Sequence, residues 1–282
     1  MLIPGRPSVP PQVLVIRPVR GWRAINLREI LGQHELIFFL AWREIAVRYK
    51  QTVLGVAWAV MQPVMAMTVF SLVFGRLARM PSDGVPYPLF AYCGLLPWQL
   101  FAYSLTESSN SLVANQNLLT KVYFPRLVIP ISVVLASLVD FSIAGVLLAL
   151  LMVYYDAALT PAVFLLPGFV LMAIGLSLGV GLWLSALNIR YRDVRYIVPF
   201  LTQFWLFATP VVYPASLVPA RWQALYGLNP MAGVVEGFRW ALLGTPPPSG
   251  PLLLVSGCVT VLLLVTGALY FRRTESTFAD TV

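Results

Sequence analysis

VIPISVVLASLVDFSIAGVLLALLMVY, residues Val128–Tyr154, holds a single acid, Asp140, and no Lys, Arg or His. A bilayer core ~30 Å thick is crossed by about 20 mostly apolar residues in helix. The run is long enough for that, and it sets the reading of its neighbours. Working outward, five more runs qualify as candidate spans: Leu54–Phe74, Leu89–Leu112, Ala162–Leu187, Val194–Val212 and Pro251–Phe271. The second is diluted by Gln99, Ser104, Thr106, Glu107, Ser108, Ser109, Asn110 and Ser111, and the fifth is interrupted by Pro199 and Pro210. Breakers and polar side chains survive in lipid only where protein or a cavity satisfies them. These two runs are therefore expected to face a pathway.

Composition agrees. The chain has 282 residues, 59% hydrophobic and 11% charged, against roughly 45–50% apolar and about 25% charged in a soluble domain. Mean hydropathy is +0.81. Disorder, a collagen repeat and a disulfide scaffold are excluded, the last because there are only 2 Cys. Cys93 and Cys258 both fall in spans and read as small buried apolar residues. The expected fold class is an all-α membrane protein with six spans.

The net charge is +8, and its placement explains it. With the N-terminus inside, all Lys and Arg except Arg76, Arg79, Arg221 and Arg239 fall on the cytoplasmic side. Both termini are read as cytoplasmic, and the basic excess as a topology signal rather than a nucleic-acid footprint. Residues 1–33 carry Pro4, Pro7, Pro10, Pro11 and Pro18 without a long apolar core. They read as a flexible cytoplasmic tail, not a cleaved signal peptide. His34 reads as a boundary residue.

The next stretch, Glu35–Gln51, is apolar for two turns and then mixes Arg43, Glu44, Arg48 and Lys50 with Trp42, Ile45, Val47 and Tyr49. It fits a helix lying in the cytoplasmic interface. Glu44 and Arg48 stand at i,i+4 in the favourable order. A plain membrane anchor and a set of cations that meets an anionic headgroup both fit this pattern.

Chemistry of the catalytic kind is missing. There is no phosphate loop, no HExxH and no Gly-x-Ser-x-Gly. Intramembrane Asp140 and Glu107 draw attention, yet no series of acids exists for a proton relay. Asp140 reads as a helix-pairing or polar contact, and Glu107 as lying near an interfacial end. An ion-driven transporter would need a buried titratable network, and a transferase paired acids or a metal site. Gly175, Gly179 and Gly181 permit close helix approach at a seam within or between subunits.

Aromatic residues say more. Phe200, Phe204 and Phe207 recur at i, i+4 and i+7, with Gln203 and Trp205 beside them. Trp58 and Gln62 are one turn apart before Pro63. Lipid contact or packing accounts for such faces. So does a wall on which the C–H faces of sugar rings slide while Gln bonds their hydroxyls. Between spans five and six, Tyr213–Gly250 carries Trp222, Tyr226, Phe238 and Trp240 among Pro214, Pro219, Pro230 and Pro246–Pro248. Two short helices dipping into the outer side of the membrane are expected there, with Glu236 and Arg239 able to pair. A lid over an exit and a merely interfacial loop both fit.

The run Trp42–Pro63, WREIAVRYKQTVLGVAWAVMQP, resembles the start of permease subunits of ABC-2 type polysaccharide exporters, the O-antigen and teichoic-acid exporters of bacteria. Gly94-Leu95-Leu96-Pro97-Trp98, Lys121–Arg126, Ser185–Val194, Asn229-Pro230-Met231 and Phe238-Arg239 continue the resemblance over about residues 35–273. It implies a homodimer in the bacterial inner membrane, working with two copies of a separate ATPase subunit that binds ATP and Mg. The cargo would be a polysaccharide on an undecaprenyl-type pyrophosphate lipid. The missing phosphate loop agrees, since no cofactor is then expected in this subunit. The resemblance makes 34–52 a gate helix with Arg43, Arg48 and Lys50 at the headgroup. It makes 53–273 the six-helix domain and 274–282 a cytoplasmic tail. Asn115–Arg126 becomes the segment seated in the ATPase, with Asn115, Asn117, Lys121, Tyr123 and Arg126 as contacts. Arg190 and Asp193 lie in a second cytoplasmic turn at a spacing that allows a local pair. Spans one and five line the channel with Trp58, Gln62, Phe200, Phe204 and Phe207. The hairpin becomes a periplasmic gate carrying Trp222, Tyr226, Glu236, Phe238 and Arg239. The nearest rivals are an ABC-2 exporter of teichoic acid or capsular polymer, and one of a small lipid or drug, because fold does not fix substrate.

Overall fold

A computed structural model describes residues 32–50, 55–121 and 124–275. The expected tail at 1–31, the start of the first span at Leu54, the coupling residue Tyr123 and the terminal residues 276–282 lie outside the described residues. Every regular element among the described residues is helical. They are α1 (His34–Lys50), α2 (Gly55–Phe70, running on as π-helical turns Ser71–Leu77), α3 (Tyr87–Ala114), α4 (Gln116–Lys121) and α5 (Val128–Tyr154). A 3-10 turn (Pro161–Leu165) leads into α6 (Leu166–Arg190), followed by α7 (Val194–Ala208), α8 (Ala220–Tyr226), α9 (Pro230–Leu243) and α10 (Gly250–Thr274).

Among the described residues, four helices are long and apolar enough to cross a membrane: Ala57–Leu77, Val128–Tyr154, Pro161–Arg190 and Gly250–Thr274. The polar helix α3 and the short helix α7 are not among them. With 28 residues, α3 has the length and lacks the hydropathy. Its position explains how the polar residues are tolerated. It packs between α5 and α6 with most of its residues buried. Ser104 shares a hydrogen bond of 2.6 Å with Ser137 on α5. Ser109 and Asn110 bond back to the Thr106 carbonyl, and Asn188 of α6 donates to the Ser109 carbonyl and to Asn110 Oδ1, each at 3.0 Å. The helix expected to face a pathway turns Gln99, Tyr103 and Thr106 to a cavity, while Ser104, Ser109, Asn110 and Ser111 bond within α3 or to α5 and α6.

At 15 residues, α7 spans only ~22 Å. It ends at Ala208, short of the expected Val212, because Pro210 cannot continue a helix and the carbonyls beyond it bond elsewhere. The glycine seam is intrasubunit. A Cβ on Gly179 would come within 2.6 Å of the Leu264 backbone nitrogen, and one on Gly267 within 2.1 Å of the Gly179 carbonyl oxygen. The backbones of α6 and α10 therefore touch there, as small residues allow. Trp183 stacks on Tyr270 at 4.2 Å beside the seam.

Two expectations about single residues fail. Cys93 is buried, but Cys258 is exposed on the outer face of α10. Arg190 lies 5.5 Å from the Tyr191 ring and forms no ion pair with Asp193 among the described residues.

Candidate functional site

A cavity of about 540 Å³ opens between α2, α3, α5 and α7, with the last turn of α1 at its edge. Trp58, Gln62 and Pro63 line it from α2, Trp98, Gln99, Tyr103 and Thr106 from α3, and Ser137, Asp140 and Phe141 from α5. From α7 come Pro199, Thr202 and Leu206. The lining thus mixes aromatic rings with amides and hydroxyls, a combination suited to a ligand with apolar faces and a polar rim.

The expected wall residues divide. Trp58 and Gln62 reach the cavity. Phe200, Phe204 and Phe207 do not: they form the opposite face of α7 and are 72%, 68% and 51% exposed. Trp205 turns inward instead. Its ring meets Phe101 edge-on at 5.0 Å, and its Nε1 donates to Asn229 Oδ1 at 2.9 Å.

At the cavity edge the Arg48 guanidinium pairs with Asp140 Oδ2, and the Tyr49 hydroxyl donates to Asp140 Oδ1. The guanidinium also lies 4.4 Å from the Tyr103 ring centroid. Burial, then the hydrogen bond to Asp140 and its negative charge, push the Tyr49 hydroxyl up to about 12. The expected Glu44–Arg48 pair does not form, because the carboxylate of α5 takes the cation. Glu44 instead pairs with Arg43 at 2.9 Å. Lys50 is exposed. On the rest of α1, Leu40 and Ala41 are buried while Phe38, Phe39, Trp42 and Val47 stand exposed. The helix thus has one docked side and one bare apolar side.

Arg43 also donates to Asn115 Oδ1 at 2.5 Å. Asn115 ends α3, its own amide held by the Ser111 carbonyl at 2.9 Å. The six-residue helix α4 follows, with Leu119 buried and Asn117 and Lys121 exposed. Beyond it, the Arg126 backbone N–H donates to Glu275 Oε1 at 3.1 Å, and the Arg126 guanidinium to the Glu275 carbonyl. This segment is tied to α1 at its start and to the end of α10 at its close.

Two short helices do follow α7; Arg221 of α8 is exposed, but the charged residues of α9 are not at a surface. Arg239 of α9 is fully buried and pairs with Glu236 at 2.9 Å. It donates to the carbonyls of Pro210 at 2.5 Å and Val211 at 2.6 Å, and lies 3.6 Å from the Phe90 ring centroid. Glu236 accepts from the Ala215 N–H at 3.2 Å. Gly94 is required beside it, since a Cβ there would sit 2.7 Å from the guanidinium. Asn229 caps α9 by accepting from the Met231 N–H, and its amide donates to Thr209 Oγ1 and the Ala208 carbonyl. Together these bonds fasten the chain leaving α7 to α9. Phe238 is buried with Arg239, whereas Trp222 is exposed and Tyr226 shares a hydrogen bond of 2.8 Å with Tyr213.

Residues 35–243 match the family described as ABC-2 type transporter. The chain belongs to this family. The ABC-2 permease is 32% identical over 260 residues to the O-antigen export system permease protein RfbA of Myxococcus xanthus, covering 91% of this chain and 98% of that protein. An O-antigen export system permease protein RfbA of Klebsiella pneumoniae is 28% identical over 262 residues, covering 91% and 99%. The polysialic acid transport protein KpsM of Escherichia coli is 26% identical over 239 residues, covering 83% and 92%. As a member, the chain is an integral membrane transport permease and not an enzyme, and ABC-2 permeases work with an ATPase partner.

Several cavity residues of this permease escape a reading by spans. Gln99, Tyr103 and Phe141 sit inside apolar or polar runs with no motif of their own. The Arg48–Asp140 pair joins residues far apart in sequence. A signal existed for it: Asp140 is the lone charge in its span, and a lone intramembrane charge needs a partner.

Proposed function

We propose that this chain is the channel-forming half of an ATP-driven exporter that moves a polysaccharide, O-antigen-like and carried on an undecaprenyl-type pyrophosphate lipid, across the bacterial inner membrane. The observation that carries this reading is the near full-length similarity to relatives named for O-antigen export. The cavity supports it, because rings with amides and hydroxyls suit sugar. The functional unit in this reading is a homodimer of six-span subunits, termini inside, with two ATPase copies. Helices α3 and α7 complete the six, and α8 with α9 forms a re-entrant hairpin on the periplasmic side.

In the same reading α1 is the gate helix, with Arg43, Arg48 and Lys50 toward the headgroup. Asn115, Asn117, Lys121, Tyr123 and Arg126 meet the ATPase. Trp58, Gln62, Phe200, Phe204 and Phe207 belong to the conducting wall, the three phenylalanines doing so from the opposite face of α7, toward the second copy of the dimer. Trp222, Tyr226, Glu236, Phe238 and Arg239 frame the periplasmic exit, the buried pair as its fixed hinge.

The test is co-purification of the ATPase partner and reconstitution of the pair in vesicles. ATP-dependent movement of lipid-linked polymer is expected, and changes at Asn117 and Lys121 should uncouple hydrolysis from it. Equal transport by the permease without any ATPase would overturn the proposal. A small lipid is the second reading of the cargo, because fold does not fix substrate. Transport of a small lipid and not of polymer by the reconstituted pair would favour that second reading.

A further inference from the structure

We infer that Asp140 is a releasable counter-ion for Arg48, latching the last turn of α1 at the cavity edge until a phosphate-bearing ligand takes the cation from it. The inference rests on the exporter reading, with Asp140 as a positioning residue.

The ion pairs of Arg239 with Glu236 and of Arg48 with Asp140 both involve a residue within the helical bundle, and they differ in access. Arg239 and Glu236 are sealed, with side chains 0% and 9% exposed. Arg48 and Asp140 are 24% and 27% exposed and both line the cavity. A ligand in the cavity can reach the second pair and not the first.

Among the described residues, Arg48 is also the sole Lys or Arg in the lining. The groups facing it are Asp140, the Tyr49 hydroxyl and the Tyr103 ring, with Glu107 and Glu44 in electrostatic range. Arg43 is committed to Glu44 and Asn115. Within the lining, the cation is thus already paired, and an anion inside the cavity gains it by displacing a carboxylate. Phosphate is the ligand class that can. Guanidinium binds phosphate and carboxylate in the same forked geometry, and a phosphate or diphosphate ester brings more negative charge than one carboxylate. Once Arg48 transfers, the Tyr49 hydroxyl still donates to Asp140 Oδ1, so one of these two side-chain bonds from this turn to α5 remains. Ligand binding and loosening of α1 become one event.

The experiment uses the full chain with its ATPase partner in nanodiscs. Its probes are a polyprenyl diphosphate doped into the disc and inorganic pyrophosphate in solution. Asp140→Asn removes the competing charge and keeps the shape. It should tighten binding of a probe by about two- to fivefold, the scale of a partly exposed ion pair, while Asp140→Glu stays near wild type. Arg48→Gln should remove the binding in either background. Tightening for the lipid probe alone assigns the ligand to a membrane carrier, and tightening for both assigns it to phosphate in general. Unchanged or weaker binding of both probes by folded Asp140→Asn overturns the latch. Should that variant fail to assemble, Asp140→Ser decides: it removes the same competing charge and keeps a polar group at the cavity, so tighter binding supports the latch and unchanged or weaker binding overturns it. Polymer is absent from this assay, so a binding change survives failure of the polysaccharide reading, and polymer export without a binding change removes only the latch.

Discussion

Arg239→Ala separates a fixed knot from a moving gate. The substitution deletes a guanidinium that is fully buried, pairs with Glu236 at 2.9 Å and satisfies the carbonyls of Pro210 and Val211. It also empties the space over the Phe90 ring. Removing one partner of a buried pair costs about 3–5 kcal/mol, because the other charge is left uncompensated. The orphaned carbonyls add to this, though not in full, since they and the carboxylate share one donor. Against a native stability of roughly 5–15 kcal/mol, a loss of about 4 kcal/mol should lower the melting temperature by roughly 8–16 °C in a chain of this size. The assay is thermal unfolding of the detergent-solubilised permease, followed by the monodisperse fraction on size exclusion. Glu236→Gln combined with Arg239→Met removes both charges and should recover more than half of the loss. An Arg239→Ala protein that melts like wild type yet exports nothing would refute the argument. The pair would then be a working part of a gate that opens, and not the fastening of α7 to α9.

Three further expectations follow from packing. Gly179→Ala and Gly267→Ala drive a methyl into the opposing backbone and should each destabilise by about 1–3 kcal/mol, while Gly257→Ala, which meets nothing within 4 Å, should leave the melting curve in place. Phe204→Ala and Phe207→Ala touch exposed rings, so stability should shift by less than about 0.5 kcal/mol; lower polymer export at unchanged membrane abundance would place them on the wall, and unchanged export would leave them as lipid contacts. Trp205→Ala, by contrast, loses the bond to Asn229 and the Phe101 contact and should lower the melting temperature clearly.

Length and hydropathy made α5, α6 and α10 readable, because a membrane demands a long apolar run whatever it packs against. The glycines announced a close crossing, and Gly179 proved to make it. Direction was harder. On α7 the face of Phe200, Phe204 and Phe207 is wholly apolar and the opposite side carries Arg195 and Thr202; an apolar face suits lipid as well as a wall, so the periodicity defined it without saying what it looks at. The cavity took the other face, Pro199, Thr202 and Leu206. For α3, the polar residues suggested a pathway, and they divide: Gln99 and Thr106 line the cavity, Ser104 and Asn110 bond to α5 and α6, and Ser109 and Ser111 bond back to carbonyls of α3 itself. Local charge spacing misled for Glu44 and Arg48, since a pair within one helix is worth only ~0.5 kcal/mol and Asp140 offered Arg48 a less exposed partner.

The cavity has walls of unequal firmness. Helices α3 and α5 sit in the packed body of the protomer, but only 6% of the Ala57–Leu77 span is buried within the chain. The side that carries Trp58 and Gln62 is thus set by what stands outside the protomer as much as by its own core. Moving it sideways disturbs few internal contacts, so the width of the space can follow its contents while the opposite wall keeps its shape. A conduit built this way accepts repeating units of differing girth without a fitted pocket for any of them.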